Sequence, residues 1–420
     1  MSKRSNSVSI IGLGYIGLPT AVLLSKHGNY VIGVDTNEKV VETLNSGKIH
    51  IKEPGLKSLL IRAIEDGNFN AVTKTEESDI FIITVPTPID QNNKPDISYV
   101  IDAAHSIAGV IKKGDLIILE STSPVGTTEK VSKIIQNLRK DLVLPTSDKN
   151  KNDINIAYCP ERVIPGNTLY ELVNNDRVIG GITEKCSEEA EKFYKLFLKG
   201  KSFRTDAKTA ELSKLIENSY RDVNISFANE VSMIAEEMGI DVWELIKISN
   251  RHPRVNILSP GPGVGGHCIP VDPWFIVDSS EKARLIKTAR LVNIEKTEFI
   301  VNKVLDHIKR ISSIKGNSKN LVVTFLGLTF KPNIDDLRDS PALEIVRRIA
   351  EQSPISINIV EPNIDELPSS ISDKSVLKGI DVAIDEADLI VNLVSHREFE
   401  SIRKSQIEGK ALIDTQGTIG

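Results

Sequence analysis

Apolar residues are distributed along this chain in two alternating textures. In the first half, short runs that are apolar almost throughout and rich in Val and Ile recur between stretches of helical spacing. They are VSIIGLG, YVIGVD, DIFIITVPTP, LIILESTSP, INIAYCPERV and RVIGG. A run without polar alternation reads as a strand covered on both faces, which suits a parallel sheet. Strand and helix in alternation then predict a doubly wound α/β domain. Near Thr205 the texture changes. DAKTAELSKLIENSYRDVNISFANEVSMIAEEMGI has no Gly or Pro before Gly239 and spaces its apolar residues as a helix does. It predicts one helix longer than most in globular proteins, begun by Asp206 or Thr209 as a cap. A second helical stretch, EKARLIKTARLVNIEKTEFIVNKVLDHIKRI, leads to the polar SSIKGNSKN, which reads as a boundary. LVVTFLGLTF, ISINIVEP, ADLIVNLVS and ALIDTQG then predict a second, smaller α/β series.

The fold expected is therefore α/β. Two Rossmann-like doubly wound domains are joined by a long central helix and a helical dimerisation region. The boundaries read as 1–205, 206–312 and 313–420. A long helix between two α/β halves suits a spine and a dimer interface; a buried interdomain helix in a monomer is the alternative.

Length agrees with this division, since 420 residues exceed what one core holds. A net charge of −5 argues against a nucleic-acid partner. Cys159, Cys186 and Cys268 are too few for a disulfide framework and wrongly spaced for a structural zinc site, so no metal is expected. Free thiols fit a reducing compartment. No apolar run is long enough to span a bilayer, and MSKRSNSVSIIGLG has no signal-peptide core, so the reading is cytoplasmic with no membrane partner.

Chemistry enters first at SIIGLGYIGLPTAVLLSKHGNYVIGVD. Gly12, Gly14 and Gly17 stand in G-x-G-x-x-G, after a predicted strand and at the start of a predicted helix. The first glycine permits the tight turn, the second lets a pyrophosphate approach the backbone, and the third permits close helix–strand packing. The helix start adds donors and positive dipole. Asp35 ends the next strand, where a carboxylate accepts ribose hydroxyls and repels a 2′-phosphate, so NAD is preferred over NADP. Tyr15 and Ile16 lie in the same turn and are counted with the cofactor contacts. Thr87 in VPTP and Ser121 and Thr122 in ESTSPVG fall at predicted carboxyl ends of strands, where ligands gather in open α/β sheets; as hydroxyls in turns they are equally good caps.

The second candidate is PGPGVGGHCIPVDP, residues 260–273. Prolines 260, 262, 270 and 273 restrict the backbone, while glycines 261, 263, 265 and 266 permit unusual dihedrals and close approach. A cysteine is often only a small buried hydrophobe. In this loop, beside a dinucleotide site, Cys268 reads as a nucleophile, with Asp272 four residues on to orient a water or base. His267 adjoins the thiol, but neighbouring side chains need not face each other, so it is the weaker candidate for a base. On the long helix Lys214 and Asn218 are four apart and share a face, where both can donate to an oxyanion; a solvated face is the plainer reading.

The glycine fingerprint, CPERV, AELSKLIENSYRDVNISFANE, GPGVGGHCIPVDP and FLGLTFKPNIDDLRDSP occur together and in order. In these motifs nearly the whole chain resembles the UDP-sugar 6-dehydrogenases of the UDP-glucose/GDP-mannose dehydrogenase family. NDRVIGG, NRHPRVNILSPGPGVGGHC and VDPWFIV look most like the branch acting on UDP-N-acetyl-D-mannosamine. The resemblance implies a four-electron oxidation of a C6 hydroxyl to a carboxylate with two NAD⁺ reduced in turn. The aldehyde stage is captured by Cys268, and a thioester is then hydrolysed. Lys214 and Asn218 map onto the donors that stabilise the C6 oxygen. Asp272 maps onto the aspartate that positions water, Glu161 onto the base for hydrolysis, and Thr122 onto a holder of the catalytic water. Glu161, Arg162, Val163, Lys214, Asn218, Asn256, Gly265 and Lys331 are implied substrate contacts. Arg254 maps onto an arginine reaching the partner subunit's diphosphate in a homodimer, and Arg338 onto one facing NAD.

Two departures argue against UDP-glucose as substrate. Pro165 stands where that branch commonly has a second glutamate, and the chain reads DTQGTIG where that branch carries an arginine near the end. UDP-N-acetyl-D-glucosamine is the nearest alternative substrate. A two-electron 3-hydroxyacid dehydrogenase needs no Cys268, and an NAD-binding scaffold explains neither the thiol loop nor Lys214 and Asn218. An aminouronic acid product implies surface polysaccharide, such as capsule or lipopolysaccharide.

Overall fold

The structure, a computed structural model, describes residues 6–146, 152–164, 166–316 and 321–419. Pro165 lies outside them. The chain forms two compact units, one ending at Ile216 and the other beginning at Glu217.

The first unit is built on an eight-stranded sheet. Its strands are β1 (Ser7–Ile11), β2 (Tyr30–Val34), β3 (Phe69–Val72), β4 (Ile80–Ile83), β5 (Leu116–Leu119), β6 (Asn155–Tyr158), β7 (Arg177–Gly181) and β8 (Ser202–Asp206), in the order β3-β2-β1-β4-β5-β6-β7-β8. Val8, Ile10, Ile82 and Ile118 pack into one core, and Ile11, Phe81, Ile83 and Leu119 into another. Both faces are covered, as the unbroken apolar runs require. The chain leaves β1 toward β2 and β3 and returns to the other side at β4. The carboxyl ends of β1 and β4 therefore flank the switch point, where ligands bind in such sheets.

Two features depart from expectation. RVIGG forms β7, but β7 runs antiparallel to β6, paired through Ala157 with Gly181 and Tyr158 with Gly180. An apolar run reports coverage and carries no direction. Strands β3 and β8 have no counterpart among the expected runs because they are the sheet edges. Asn70 is exposed between buried Phe69 and Ala71, and no residue of β8 is buried.

The long helix spans Ala207–Glu237. Asp206 is its cap, accepting from the Thr209 amide at 2.9 Å and the Thr209 hydroxyl at 2.6 Å. Its amphipathicity is inverted. Glu211, Asp222 and Asn229 are fully buried, while Tyr220 is 69% and Phe227 53% exposed, followed by exposed Ile234 and Met238.

In the second unit a second long helix, Arg284–Lys315, ends at Gly316, whose φ of 72° closes it in the left-handed conformation. Ser312–Lys315, the first residues of the stretch read as a boundary, continue this helix up to that glycine. Residues 317–320 lie outside the described residues. Five parallel strands follow, β9 (Val322–Leu326), β10 (Ser356–Val360), β11 (Ser375–Leu377), β12 (Leu389–Asn392) and β13 (Ala411–Asp414), in the order β11-β10-β9-β12-β13. This is again a doubly wound sheet, with its switch point between β9 and β12. The three-residue edge strand β11 is too short to show a periodicity.

Candidate functional site

In the first unit the three fingerprint glycines answer three different demands. Gly12 has φ 95°, and a Cβ there would lie 2.8 Å from the Thr84 carbonyl oxygen. A Cβ on Gly17 would overlap the Gly12 carbonyl. Gly14 is exposed, and a Cβ on it would meet nothing within 4 Å. The first two are forced by protein, and the third faces open space at the switch point. That is the cradle a pyrophosphate needs, and the helix Gly17–Lys26 begins beside it. Asp35 is half-buried at the end of β2, its carboxylate accepting from the Leu13 amide at 3.1 Å and the Asn37 amide at 2.9 Å. The Asp35 carboxylate is thus tied to the glycine turn itself. His50 stands near Asp35, and burial lowers its pKa against the opposing pull of Asp35 and the Leu13 backbone. Nothing local in GKIHI marks it. These residues fit NAD, which when bound accepts a hydride.

Thr87 and Ser121 stitch two loops together. The Thr87 hydroxyl donates to the Thr122 carbonyl at 2.6 Å, and the Ser121 hydroxyl to the Val85 carbonyl at 2.7 Å. Glu211 anchors the same loop from the long helix. It accepts from the Gly126 amide at 2.5 Å and from the Thr128 amide and hydroxyl at 2.8 and 2.6 Å, at the start of the helix Thr127–Leu138. Negative charge there is favoured by the unpaired amides and dipole, while burial pushes the carboxyl's pKa up.

One turn along the long helix, Lys214 donates to the Glu161 carbonyl at 2.8 Å and its carboxylate at 3.0 Å. Val163 donates its amide to the same carboxylate at 2.9 Å. Burial works against charge on Glu161, but the Lys214 ammonium and the Val163 amide outweigh it and hold the carboxyl below its usual range. Glu161 is thus ionised, and the CPERV strand end is fixed to the helix. The Arg162 carbonyl accepts from Asn175 at 2.6 Å.

The three cysteines differ. Cys159 and Cys186 are buried, and burial pushes the Cys159 thiol far up. Cys268, in the second unit, is partly exposed. Its loop starts at Gly261, whose amide donates to Asn229 at 2.9 Å, and Pro262, whose carbonyl accepts from Thr297 at 2.9 Å. A Cβ on Gly265 would lie 2.6 Å from the Asp339 carbonyl and 2.7 Å from Phe330 and Pro341. Gly266 has φ 85° and donates to the Arg338 carbonyl at 3.3 Å. The close approach read from these glycines is therefore to the segment 330–341 of the protein.

The Cys268 carbonyl accepts from the Val271 and Asp272 amides at 3.1 and 2.9 Å, so the thiol residue opens the turn that leads into the helix Asp272–Ser279. Asp272 is buried and accepts from Asn218 at 2.5 Å. The structure thus joins Asn218 to Asp272, and Asp272 to the Cys268 turn. His267 is exposed beside the thiol residue; burial opposes charge on Asp336, but the hydrogen bonds from Arg338 outweigh it and hold that carboxyl down, with His267 adding least. Arg338 forks onto Asp336, with Nη2 at 2.6 Å, and the Lys331 ammonium lies 5.8 Å from the Phe330 ring centre. Arg254 and Asn256 are exposed.

A further group under the Lys331 loop escaped the sequence reading. His396 is buried at the carboxyl end of β12, where Nδ1 accepts the Asn333 amide at 3.0 Å, and Nε2 faces the Glu361 carboxylate at 3.0 Å. Glu361 also accepts from the Leu328 amide at 2.8 Å. Burial opposes its charge, but the ring and that amide outweigh it and hold the carboxyl down. The pair braces 328–333 at the second sheet's switch point.

A doubly wound domain with this glycine cradle and acidic strand end defines an NAD-binding protein. Models of the UDP-glucose/GDP-mannose dehydrogenase family match along the chain: the NAD binding domain at residues 6–198, the central domain at 208–295 and the UDP binding domain at 324–420. The chain belongs to that family. It is 51% identical over 420 aligned residues to a UDP-N-acetyl-D-mannosamine dehydrogenase of Yersinia pestis, covering 98% of each chain. It is 50% identical over 412 residues to an NDP-N-acetyl-D-galactosaminuronic acid dehydrogenase of Ralstonia nicotianae, covering 98% of this chain and 96% of that one. A solved UDP-N-acetyl-mannosamine dehydrogenase of Staphylococcus aureus superposes with a TM-score of 0.86 at 39% identity, over 98% of this chain and 95% of the other.

Proposed function

We propose that the protein oxidises C6 of UDP-N-acetyl-D-mannosamine to the carboxylate, reducing two NAD⁺ and consuming one water. The observation that carries this reading is Cys268, the partly exposed cysteine, set on a braced turn directly before Asp272 and its Asn218 partner. After the first hydride leaves C6, the Cys268 sulfur adds to the aldehyde carbon as the carbonyl oxygen takes a proton. Loss of the second hydride gives a thioester, and water displaces the sulfur to leave the carboxylate. Lys214 and Asn218 stabilise the oxygen at C6, Asp272 and Thr122 hold water, and the ionised Glu161 removes its proton. Asp35 and the turn from Gly12 to Gly17 hold NAD, with Thr87, Ser121 and Arg338 beside it. Lys331, Arg162, Val163, Asn256 and Gly265 serve the sugar nucleotide. The functional division is 1–205, 206–312 and 313–420.

The inverted helix supports a homodimer. Tyr220, Phe227 and Ile234 repeat every seven residues on an exposed face, a stripe that a second copy would cover. Arg254, exposed, then reaches the partner's diphosphate. The described helices include none long and apolar enough to cross a membrane; the reading is a cytoplasmic enzyme supplying an aminouronic acid for surface polysaccharide.

The test is stoichiometric. The protein is incubated with NAD⁺ and each UDP-N-acetylhexosamine, and NADH is counted per sugar consumed. Two per sugar, with the manno epimer fastest, is expected. One per sugar, or no turnover, refutes the chemistry. The relatives named for a galactosaminuronic acid are as similar as those named for mannosamine, so the galacto epimer is the second substrate reading. Faster turnover with it, or with UDP-N-acetyl-D-glucosamine, reassigns the sugar alone.

A further inference from the structure

The cysteine loop is fastened at both ends to one face of one helix. Asn218 and Asn229 are eleven residues apart, which brings them back to within about 20° of the same direction and roughly 16 Å apart along the axis. Asn218 holds Asp272 at the end of the loop, and Asn229 holds Gly261 at its start. An eleven-residue chain can extend about twice that distance. The loop is therefore slack between its clamps, and its shape depends on where they sit.

The Asn229 clamp is the end of a directed thread. A backbone amide must donate, so Oδ1 of Asn229 faces Gly261 and Nδ2 faces the other way, where it donates to Asn293 Oδ1 at 2.8 Å. Asn293 in turn donates to the Asp222 carboxylate at 2.8 Å, which also receives Arg290 at 2.5 Å. Asp222, Asn229, Arg290 and Asn293 are all buried. Every bond points toward the carboxylate, so no amide in the thread can flip without placing like groups against each other. Thr297, one turn beyond Asn293, donates to the next residue of the loop, Pro262. Buried polar groups of this kind cost more than apolar packing and rigidify only when satisfied together.

We infer that Asn229, oriented by Asn293 and Asp222, is a positioning residue that fixes the start of the loop and so sets Cys268 against the reacting carbon. This inference rests on the reading of Cys268 as the nucleophile.

The variants N229A, T297V and C268A are compared with the wild type, using NAD⁺ and whichever UDP-N-acetylhexosamine turns over. For N229A, kcat is expected to fall at least 30-fold, while KM for the sugar nucleotide and Kd for NADH change less than threefold. Hydrogen exchange across 259–268 should rise without a rise in the two long helices. T297V, near-isosteric, should lower kcat five- to tenfold with the same local exchange signature, and it carries the test if N229A does not fold. An inactive C268A beside an N229A or T297V of wild-type kcat and exchange overturns the inference. So does an N229A that loses activity only in proportion to global unfolding and regains it on cooling. An active C268A instead removes the nucleophile reading itself.

Discussion

Gly14 and Gly17 stand three residues apart in one fingerprint, and the structure assigns them opposite sensitivities. A methyl group at Gly17 would sit inside the Gly12 carbonyl and 2.6 Å from the Thr84 hydroxyl, so the turn must open to admit it. Overpacking against backbone costs about 1–3 kcal/mol, and in a folding unit the size of the first one that lowers Tm by roughly 2–12 °C. At Gly14 the same methyl meets no protein atom within 4 Å, and φ is not in the left-handed region. Stability should therefore stay within about 0.5 kcal/mol. If the open space is where the pyrophosphate comes down, that methyl displaces it. A tenfold weaker Kd, about 1.4 kcal/mol, is the least expected. Thermal melts of G14A and G17A without cofactor, followed by calorimetric titration with NADH, separate the two effects. The expected pattern is a normal melt with poor binding for G14A and a lowered melt for G17A. A G14A protein that binds NADH within twofold of the wild type, or a G17A protein that melts with it, would show that the turn is not organised as described.

C268A is expected to bind NADH normally and to lose net turnover; steady-state oxidation at the wild-type rate would exclude a covalent intermediate. Replacing Asp35 by Ala should weaken NADH binding at least tenfold and also free the Leu13 and Asn37 amides, while leaving UDP-sugar affinity unchanged in a calorimetric titration. Lys296 is buried on the second long helix, and burial lowers its pKa to about 8 from the ordinary 10.5, against the pull of Glu236. Between those two values the unfolded chain holds a proton that the folded chain has lost, so this group's contribution to stability rises with pH there. K296M should therefore be more stable than the wild type at pH 7, by up to about 3 kcal/mol. That margin should shrink as denaturant melts are repeated from pH 8 toward pH 10; a constant margin contradicts the assigned burial.

The parts of this protein that were legible in its sequence are those whose cause is local. The apolar runs of β1, β4 and β5 announce strands covered on both faces, and Asp206 announces the start of the long helix three residues before Thr209. Edge strands β3 and β8 are silent because half their surface meets solvent, and the direction of β7 is silent because an apolar run reads the same both ways. The site divides along the same line. The glycines of the two loops are visible as a pattern, yet only the folded chain tells that Gly14 faces space while Gly265 faces Phe330. Glu211, His396 and Asn229 bond to residues far away in sequence, so no window of neighbours contains both partners. One signal was nevertheless present. Along the long helix Glu211, Lys214, Asn218, Asp222 and Asn229 recur at three-, four- and seven-residue spacing beside small buried Ala210 and Ala228, while Tyr220, Phe227 and Ile234 form a stripe of their own. A helix with one polar stripe and one apolar stripe has two faces, and the sequence does not say which is inside. The apolar stripe suited burial in one chain; the structure turns the polar stripe inward, where Asp222 finds partners on the second long helix and the other groups find theirs in loops 120–128, 161–163 and 261–272. An interior face built from carboxylates and amides is expensive in desolvation unless each is satisfied. Its persistence here follows from what it holds, the strand ends and loops that carry the candidate chemistry.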